Sequence, residues 1–323
     1  MAKAIRFHRQ GGPEVLQLDD VPVGDPGAGQ IRIRHTAIGV NFVDTYQRSG
    51  LYPMQLPAVA GNEAAGVVEA LGPGVKGLKK GDHVAYTGLP GSYCEERLVP
   101  AERVVKIPKG ISDEQAASMM LKGMTVHYLI HSTYKVKKGD TVLWHAGAGG
   151  VGLIAGQWLK KLGANGIATV GSEEKAKLAK SHGWKHVVNY SSENFVERVK
   201  ELTKGRKLAV VYDAVGKSTW EGSLDCLQPR GLMVSFGNAS GAVAPVNLGI
   251  LSTKGSLYVT RPTLATYIAS RADLVKRSND LFNVVKSKKV KIETTARYKL
   301  ADAANAHRDL ESRRTTGSVI LVP

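Results

Sequence analysis

The chain has 323 residues, 43% hydrophobic and 22% charged, with 36 glycines and a formal net charge of +16. Single cores stop growing at roughly 250 to 300 residues, so this length implies two domains, and the composition excludes disordered and fibrous classes. No stretch reaches the roughly 18 apolar residues of a membrane span, the start "MAKAIRFHRQ" lacks an apolar leader core, and two cysteines, Cys94 and Cys226, are too few for a disulfide framework.

A cytoplasmic protein without a membrane partner is therefore expected. The excess of 44 Lys+Arg over 28 Asp+Glu raises nucleic acid as a partner. Its clusters, "KVKKGD" near 135 and "KSKKVK" near 286, carry no interleaved aromatic residues on which bases would stack. They read as solvated lysines at the ends of elements.

Up to about residue 110, turn signals such as "GDPGAGQ", "LGPG" and "KKGD" separate short β-rich runs, "IRIRHTAIGV", "AAGVVEAL" and "HVAYT". This is the pattern of an antiparallel β unit. At "ISDEQAASMMLKGMTVHYLI" the period changes, and Ser112 with Gln115 has the spacing of a capping box opening a helix.

From 140 the chain alternates strand and helix. "TVLWH", "GIATVG", "HVVNY", "LAVVYD", "LMVSFG" and "SLYVTR" predict six strands of a doubly wound parallel sheet. After Pro262 a helical stretch runs to about Lys288, followed by "KIETTARY", a helix from about Leu300 and a strand "SVILV". These last elements are too few for a domain and are expected to return to the N-terminal β unit.

Gly147-x-Gly149-x-x-Gly152 lies between the first of those strands and a helix, where glycines allow a tight turn and close backbone approach to a pyrophosphate. Gly150 completes the loop. "AVGKST" resembles the end of a triphosphate loop, but Val211 stands where that motif needs glycine, so it reads as a strand-to-helix turn with Ser218 and Glu221 spaced as a cap. The second strand ends "TVGSEEKAK", where Gly171, Ser172 and Lys175 favour the 2′-phosphate of NADPH and Glu173 and Glu174 argue against it.

On "GVNFVDTYQRSGLYP", "GNEAAGVVEALGPG", "HAGAGGVGLIAGQW" and "MVSFGNASG", the chain resembles the medium-chain dehydrogenase/reductase superfamily. Within it, the likeness is to the zinc-free NADPH:quinone oxidoreductases related to zeta-crystallin. The resemblance implies a GroES-like catalytic domain over 1–123 and 264–323, a Rossmann cofactor domain over 124–263, an interdomain cleft, and a homodimer joined through the cofactor domains. It implies that Asn41 and Thr125 lie near the nicotinamide and that Ala148 to Val151 cover the pyrophosphate. Ser172, Lys175, Tyr190 and Arg313 would approach the 2′-phosphate, and Val215, Phe236, Gly237, Val259 and Arg261 would line the remaining path.

Zinc-dependent members carry cysteine and histidine where this chain has Asn41 and Asn62. Amides are poor zinc ligands, so no metal is expected. A quinone accepts hydride to give a phenolate with a conjugate-acid pKa of about 10, which needs little acid help. The expected activity is hydride transfer from NADPH to a quinone, with Asn41, Tyr46 and Tyr52 orienting the acceptor and Asp44 capping a helix with Asn41. Reduction of enal or enone double bonds is one alternative; binding of AU-rich RNA, as in crystallin-like relatives, is another.

Overall fold

The first strands follow the alternation in the sequence. In the computed structural model, which describes all 323 residues, β1 (Ala2–Phe7) pairs antiparallel with β2 (Gln17–Val21). β3 (Gln30–Val40) alternates at first, with Ile31 and Ile33 buried and Arg34 exposed, and is buried without interruption from Ala37 to Val40. A strand covered on both faces has no place for alternation. The chain then turns into α1 (Phe42–Ser49), and β4 (Ala58–Val59) joins β1.

β5 (Glu63–Leu71), β6 (His83–Thr87), β7 (Glu96–Pro100) and β8 (Val105–Lys106) extend the sheet begun by β3. α2 (Asp113–Tyr128) opens with the expected capping box: Ser112 N–H donates to Gln115 Oε1 at 3.1 Å and Gln115 N–H to Ser112 Oγ at 3.2 Å.

The alternating half folds as six parallel strands. In chain order they are β9 (Thr141–Trp144), α3 (Gly150–Leu162), β10 (Asn165–Val170), α4 (Glu173–Ser181), β11 (His186–Asn189), α5 (Phe195–Leu202), β12 (Leu208–Asp213), α6 (Trp220–Asp225), β13 (Leu227–Ser235), α7 (Gly249–Thr253) and β14 (Tyr258–Thr260). The spatial order is β11-β10-β9-β12-β13-β14. It reverses at β9, and the crevice beyond the carboxyl ends at such a reversal is where these sheets take ligands.

The helical stretch expected after Pro262 is in fact two helices, α8 (Leu264–Tyr267) and α9 (Arg271–Lys286), because Ser270 turns extended and caps α9 through Asp273 N–H. β15 (Thr294–Lys299), α10 (Ala303–Glu311) and β16 (Ser318–Val322) follow. β16 pairs antiparallel with β3 and parallel with β15, which returns the C-terminal elements to the N-terminal sheet. The chain divides into two units, Met1–Met124 with Tyr267–Ser287 and Ile292–Pro323, and Thr125–Thr266 with Lys288–Lys291.

Candidate functional site

In the first unit, Asn41 ends β3 and starts α1. Its backbone N–H donates to Asp44 Oδ2 at 2.8 Å, the reciprocal arm of a helix cap, so the expected structural role of Asp44 is what the fold displays. Asp44 is buried and collects two further donors, Asn62 Nδ2 at 2.7 Å and the Tyr93 hydroxyl at 2.9 Å. Burial pushes its carboxyl up to about 6 against the pull of those donors.

The Asn41 side-chain amide is held separately. Its Nδ2 donates to Glu63 Oε2 at 2.8 Å, while Leu121 N–H donates to Glu63 Oε1 at 2.7 Å and Lys122 Nζ lies 3.7 Å from Oε2. Lys122 also donates to Val40 O at 3.3 Å. A Cβ on Gly39 would stand 2.4 Å from Glu63 Oε2 and 2.3 Å from Ala117 O, so only glycine lets the carboxylate and α2 close onto the end of β3. Burial raises the Glu63 pKa, with Lys122 and Asn41 opposing it.

A second arm leads away from Asp44. Arg48 Nη1 donates to His307 Nδ1 at 3.1 Å, which leaves the His307 Nε2–H for the Tyr93 oxygen at 3.1 Å, and the Tyr93 hydroxyl proton goes to Asp44. Arg48 is 2% exposed and pairs with Glu311 at 2.6 Å. Desolvation holds His307 neutral, its pKa lowered to about 3.

Tyr46 and Tyr52, both half-buried, meet edge to face with ring centroids 5.2 Å apart, and Tyr52 N–H donates to Tyr46 O at 3.0 Å. Helix α1 thus presents Asn41 at its start and Tyr46 one turn later, with Tyr52 folded back on Tyr46. Arg313 is exposed in the left-handed turn after α10.

In the second unit, Gly147 N–H donates to Thr169 O at 2.9 Å, and a Cβ on Gly147 would sit 2.4 Å from the Ala168 Cβ. One on Gly152 would meet Ala146 O at 2.3 Å. These two glycines are demanded by packing of the turn. At Gly149, the N-cap of α3, a Cβ would meet nothing nearer than Ala146 O at 3.4 Å, so the protein itself does not require glycine there. A ligand that approaches the backbone does, and with the N–H groups of Gly150 and Val151 opening α3 the loop fits a pyrophosphate.

Ser172 caps α4, its Oγ accepting from Lys175 N–H at 3.3 Å, and the Tyr190 hydroxyl lies 2.6 Å from where a Gly171 Cβ would be. Gly171, Ser172, Lys175 and Tyr190 therefore form one cluster at the tip of β10. Glu173 accepts from Asn189 Nδ2 at 2.8 Å, and Glu174 is exposed on α4. Both acids are helix residues set beyond the tip of the strand.

Val215, Phe236 and Gly237 gather where β12 and β13 end, since a Gly237 Cβ would lie 2.4 Å from Ala214 O. Arg261 Nη1 donates to Ser235 O at 2.8 Å, Val259 lies on the outermost strand, and Thr125 is buried on α2. The expected Ser218 cap is corrected. Thr219 is the N-cap of α6, and the turn is organised by Asp213, which accepts from the N–H groups of Val215 and Gly216 and from the hydroxyls of Thr219 and Ser223. A buried carboxylate that satisfies four donors outcompetes a local serine cap.

Sequence reasoning missed Glu63, Lys122, Tyr93, His307, Asp213 and Trp184. Trp184 Nε1 donates to Gly147 O at 3.1 Å and Gly152 O at 3.2 Å, bracing the phosphate loop from beneath. Glu63 and Asp213 did carry a signal, an acid that opens one apolar strand and an acid that closes another.

The chain matches a family model described as alcohol dehydrogenase GroES-like domain over residues 27–109 and one described as zinc-binding dehydrogenase over residues 150–277. It is 54% identical to a quinone oxidoreductase of Pseudomonas aeruginosa, covering 100% of both chains, and 46% identical to a 2-haloacrylate reductase of a Burkholderia species, covering 100% of this chain and 99% of that one. Among solved structures, that of an Escherichia coli quinone oxidoreductase complexed with NADPH superposes with a TM-score of 0.98 at 52% identity over 100% of both chains.

Proposed function

The chain belongs to the quinone oxidoreductases of the medium-chain dehydrogenase/reductase superfamily, and from that premise we propose that Asn41, Tyr46 and Tyr52 receive the quinone. The enzyme is an NADPH-dependent quinone oxidoreductase. NADPH, when bound, supplies the hydride. The glycine loop and the first turn of α3 would hold its pyrophosphate, and Ser172, Lys175 and Tyr190 at the tip of β10 would receive its 2′-phosphate.

The observation that carries the acceptor site is the bond from Asn41 Nδ2 to Glu63 at 2.8 Å. One amide N–H is committed to a buried carboxylate, which sets the plane of the amide and aims its second N–H. A donor held in advance toward an oxygen that gains charge stabilises that charge without reorganisation. A quinone oxygen needs only this much, since its phenolate is no more basic than that of tyrosine. Tyr46 and Tyr52 offer an aromatic corner against which a quinone ring can lie.

The test is Tyr46→Phe. Positioning by the ring predicts that quinone turnover survives with a loss of less than about tenfold and unchanged NADPH affinity. Abolished turnover with NADPH binding intact would make the hydroxyl a required acid and sink the proposal.

A second reading, reduction of a conjugated carbon–carbon double bond, has the 2-haloacrylate reductase relative in its favour. A steady-state panel of benzoquinone, naphthoquinone and alkenals discriminates the two, faster alkenal turnover overturning the quinone assignment. We also propose a homodimer through the cofactor-binding unit. Strand β14 is an unpaired sheet edge on which Tyr258 is 61% and Val259 39% exposed, and sedimentation equilibrium at a single monomer mass would refute the dimer. A cytoplasmic location accords with the two free, buried cysteines, whose thiols burial pushes up to about 12.

A further inference from the structure

Two basic runs that the sequence places some 150 positions apart come together in the second unit. Both dock on the last two turns of α3. The turn before β9 sets the Lys138 side chain against Gly163, the C-cap of α3, with a Cβ there only 3.0 Å from Lys138 Cγ, and Gly139 N–H donates to Gly163 O at 2.9 Å. On the other side, Lys291 N–H donates to Gln157 Oε1 at 2.8 Å and Gln157 Nε2 returns to Lys291 O at 3.0 Å.

Between them, α3 itself ends on Lys160 and Lys161. Asn165, just beyond, ties the turn to its neighbour: its N–H donates to Asp140 O at 2.7 Å and its side chain accepts from Lys185 Nζ at 2.7 Å. Lys137, Lys138, Lys160, Lys161, Lys185 and Lys291 are all exposed. Asp140, the acid of the turn before β9, is half-buried and accepts from the Lys137 N–H at 2.8 Å.

The topology explains the concentration. In a parallel sheet every crossover helix ends at the edge where the next strand begins, and cations are favoured at helix C-termini. Charges that look like independent caps in the sequence therefore sum on one edge. It is the edge opposite the glycine loop, which leaves β9 at its carboxyl end.

We propose that this lysine face is a docking surface for an anionic phospholipid bilayer. Protein interfaces are depleted in lysine and anchored by aromatic residues, and single-stranded nucleic acid is held by ring stacking and arginine. The segments 137–140, 157–165 and 288–291 contain no arginine, and their single aromatic residue, Trp158, is 3% exposed. Strongly hydrated ammonium groups without an apolar anchor suit the diffuse negative potential of a lipid surface, where each lysine strengthens partitioning about fivefold. The attachment is peripheral and salt-reversible, needs no spanning segment, and leaves the cofactor loops facing solution.

The experiment is co-sedimentation of the full chain with phosphatidylglycerol vesicles, phosphatidylcholine vesicles and a single-stranded RNA at equal salt. It uses a Lys137→Gln, Lys138→Gln, Lys160→Gln, Lys161→Gln variant. The control is Lys76→Gln, Lys80→Gln, Lys109→Gln, Lys299→Gln, which removes the same charge from exposed positions of the first unit. Expected are binding to the anionic vesicles alone, its release at about 1 M salt, and at least a tenfold loss in the first variant but not the control, with NADPH–quinone turnover unchanged in both. No preference for the anionic vesicles, tighter binding to RNA, or equal loss in the two variants would overturn the proposal. Turnover is read separately, so failure of docking leaves the catalytic assignment intact.

Discussion

Replacing Glu63 by Gln changes the shape of one side chain almost not at all, yet the structure makes it costly. Glu63 is 0% exposed, and the Lys122 side chain beside it is 7% exposed. Opposite charges about 4 Å apart attract by about 4 kcal/mol at an effective dielectric of about 20, and desolvation takes back much of that. Removing one partner is different, because it leaves the other charge buried alone, at about 3 to 5 kcal/mol. Glutamine adds a second penalty. Its amide nitrogen must face either Asn41 Nδ2 or the Leu121 N–H, both of which now donate to the carboxylate at 2.8 and 2.7 Å. Urea denaturation should therefore show Glu63→Gln and Lys122→Met each destabilised by about 3 kcal/mol or more. The double variant, with neither charge, should fall short of the sum by about 2 kcal/mol. Because Asn41 loses its anchor, kcat for quinone should drop about tenfold in Glu63→Gln while KM for NADPH stays within about twofold, and the double variant, though its stability loss is less than additive, should keep the lowered kcat. Additive stabilities together with wild-type kcat would refute the reasoning.

Other outcomes follow from the same contacts. His35 is buried, bonded through Nδ1 to Cys94 O at 2.7 Å, and desolvation lowers its pKa from 6.5 to about 4. The unfolded chain binds that proton first, so stability present above pH 6.5 is lost as the pH falls toward 4, by about 3 kcal/mol, and His307 acts with the same sign. An imidazole NMR signal of His35 titrating near 6.5 in the folded protein would contradict this. Gly147→Ala should cost about 1 to 3 kcal/mol of stability through its clash with Ala168. Gly149→Ala, with only Ala146 O near its Cβ, should unfold like the wild type but lose NADPH affinity about tenfold or more by calorimetry; equal affinities would remove the pyrophosphate from this loop. Trp184→Phe, which deprives Gly147 O and Gly152 O of their shared donor, should weaken NADPH binding about fivefold, and unchanged binding would show that the loop needs no brace.

Much of this molecule is local and was legible as such. The glycine loop is a spacing of two to five residues, and the Ser112–Gln115 box and the Asn41–Asp44 cap are three-residue spacings whose hydrogen bonds close within one turn of chain. The six apolar strands announced a parallel sheet because strands buried on both faces have no polar side. Spacing rules failed where another nearby group offered more. Asp213 reorganised the turn expected to be capped by Ser218, and Ser270 divided a stretch that periodicity alone ran together.

What only the tertiary structure decided is which distant side chains share a buried space. Nothing in "GNEAAG" says that its acid reaches back 22 residues to the Asn41 amide and meets a lysine on another helix. Nor does anything in "KVKKGD" say that it docks on the same helix as "KSKKVK". Both depend on the register of strands and the packing of helices, which bring together charges that the chain itself keeps far apart. The sequence alone determined the glycine loop at the end of β9, because its spacing is local; that a buried carboxylate holds the Asn41 amide was decided by the packing of β3, β5 and α2.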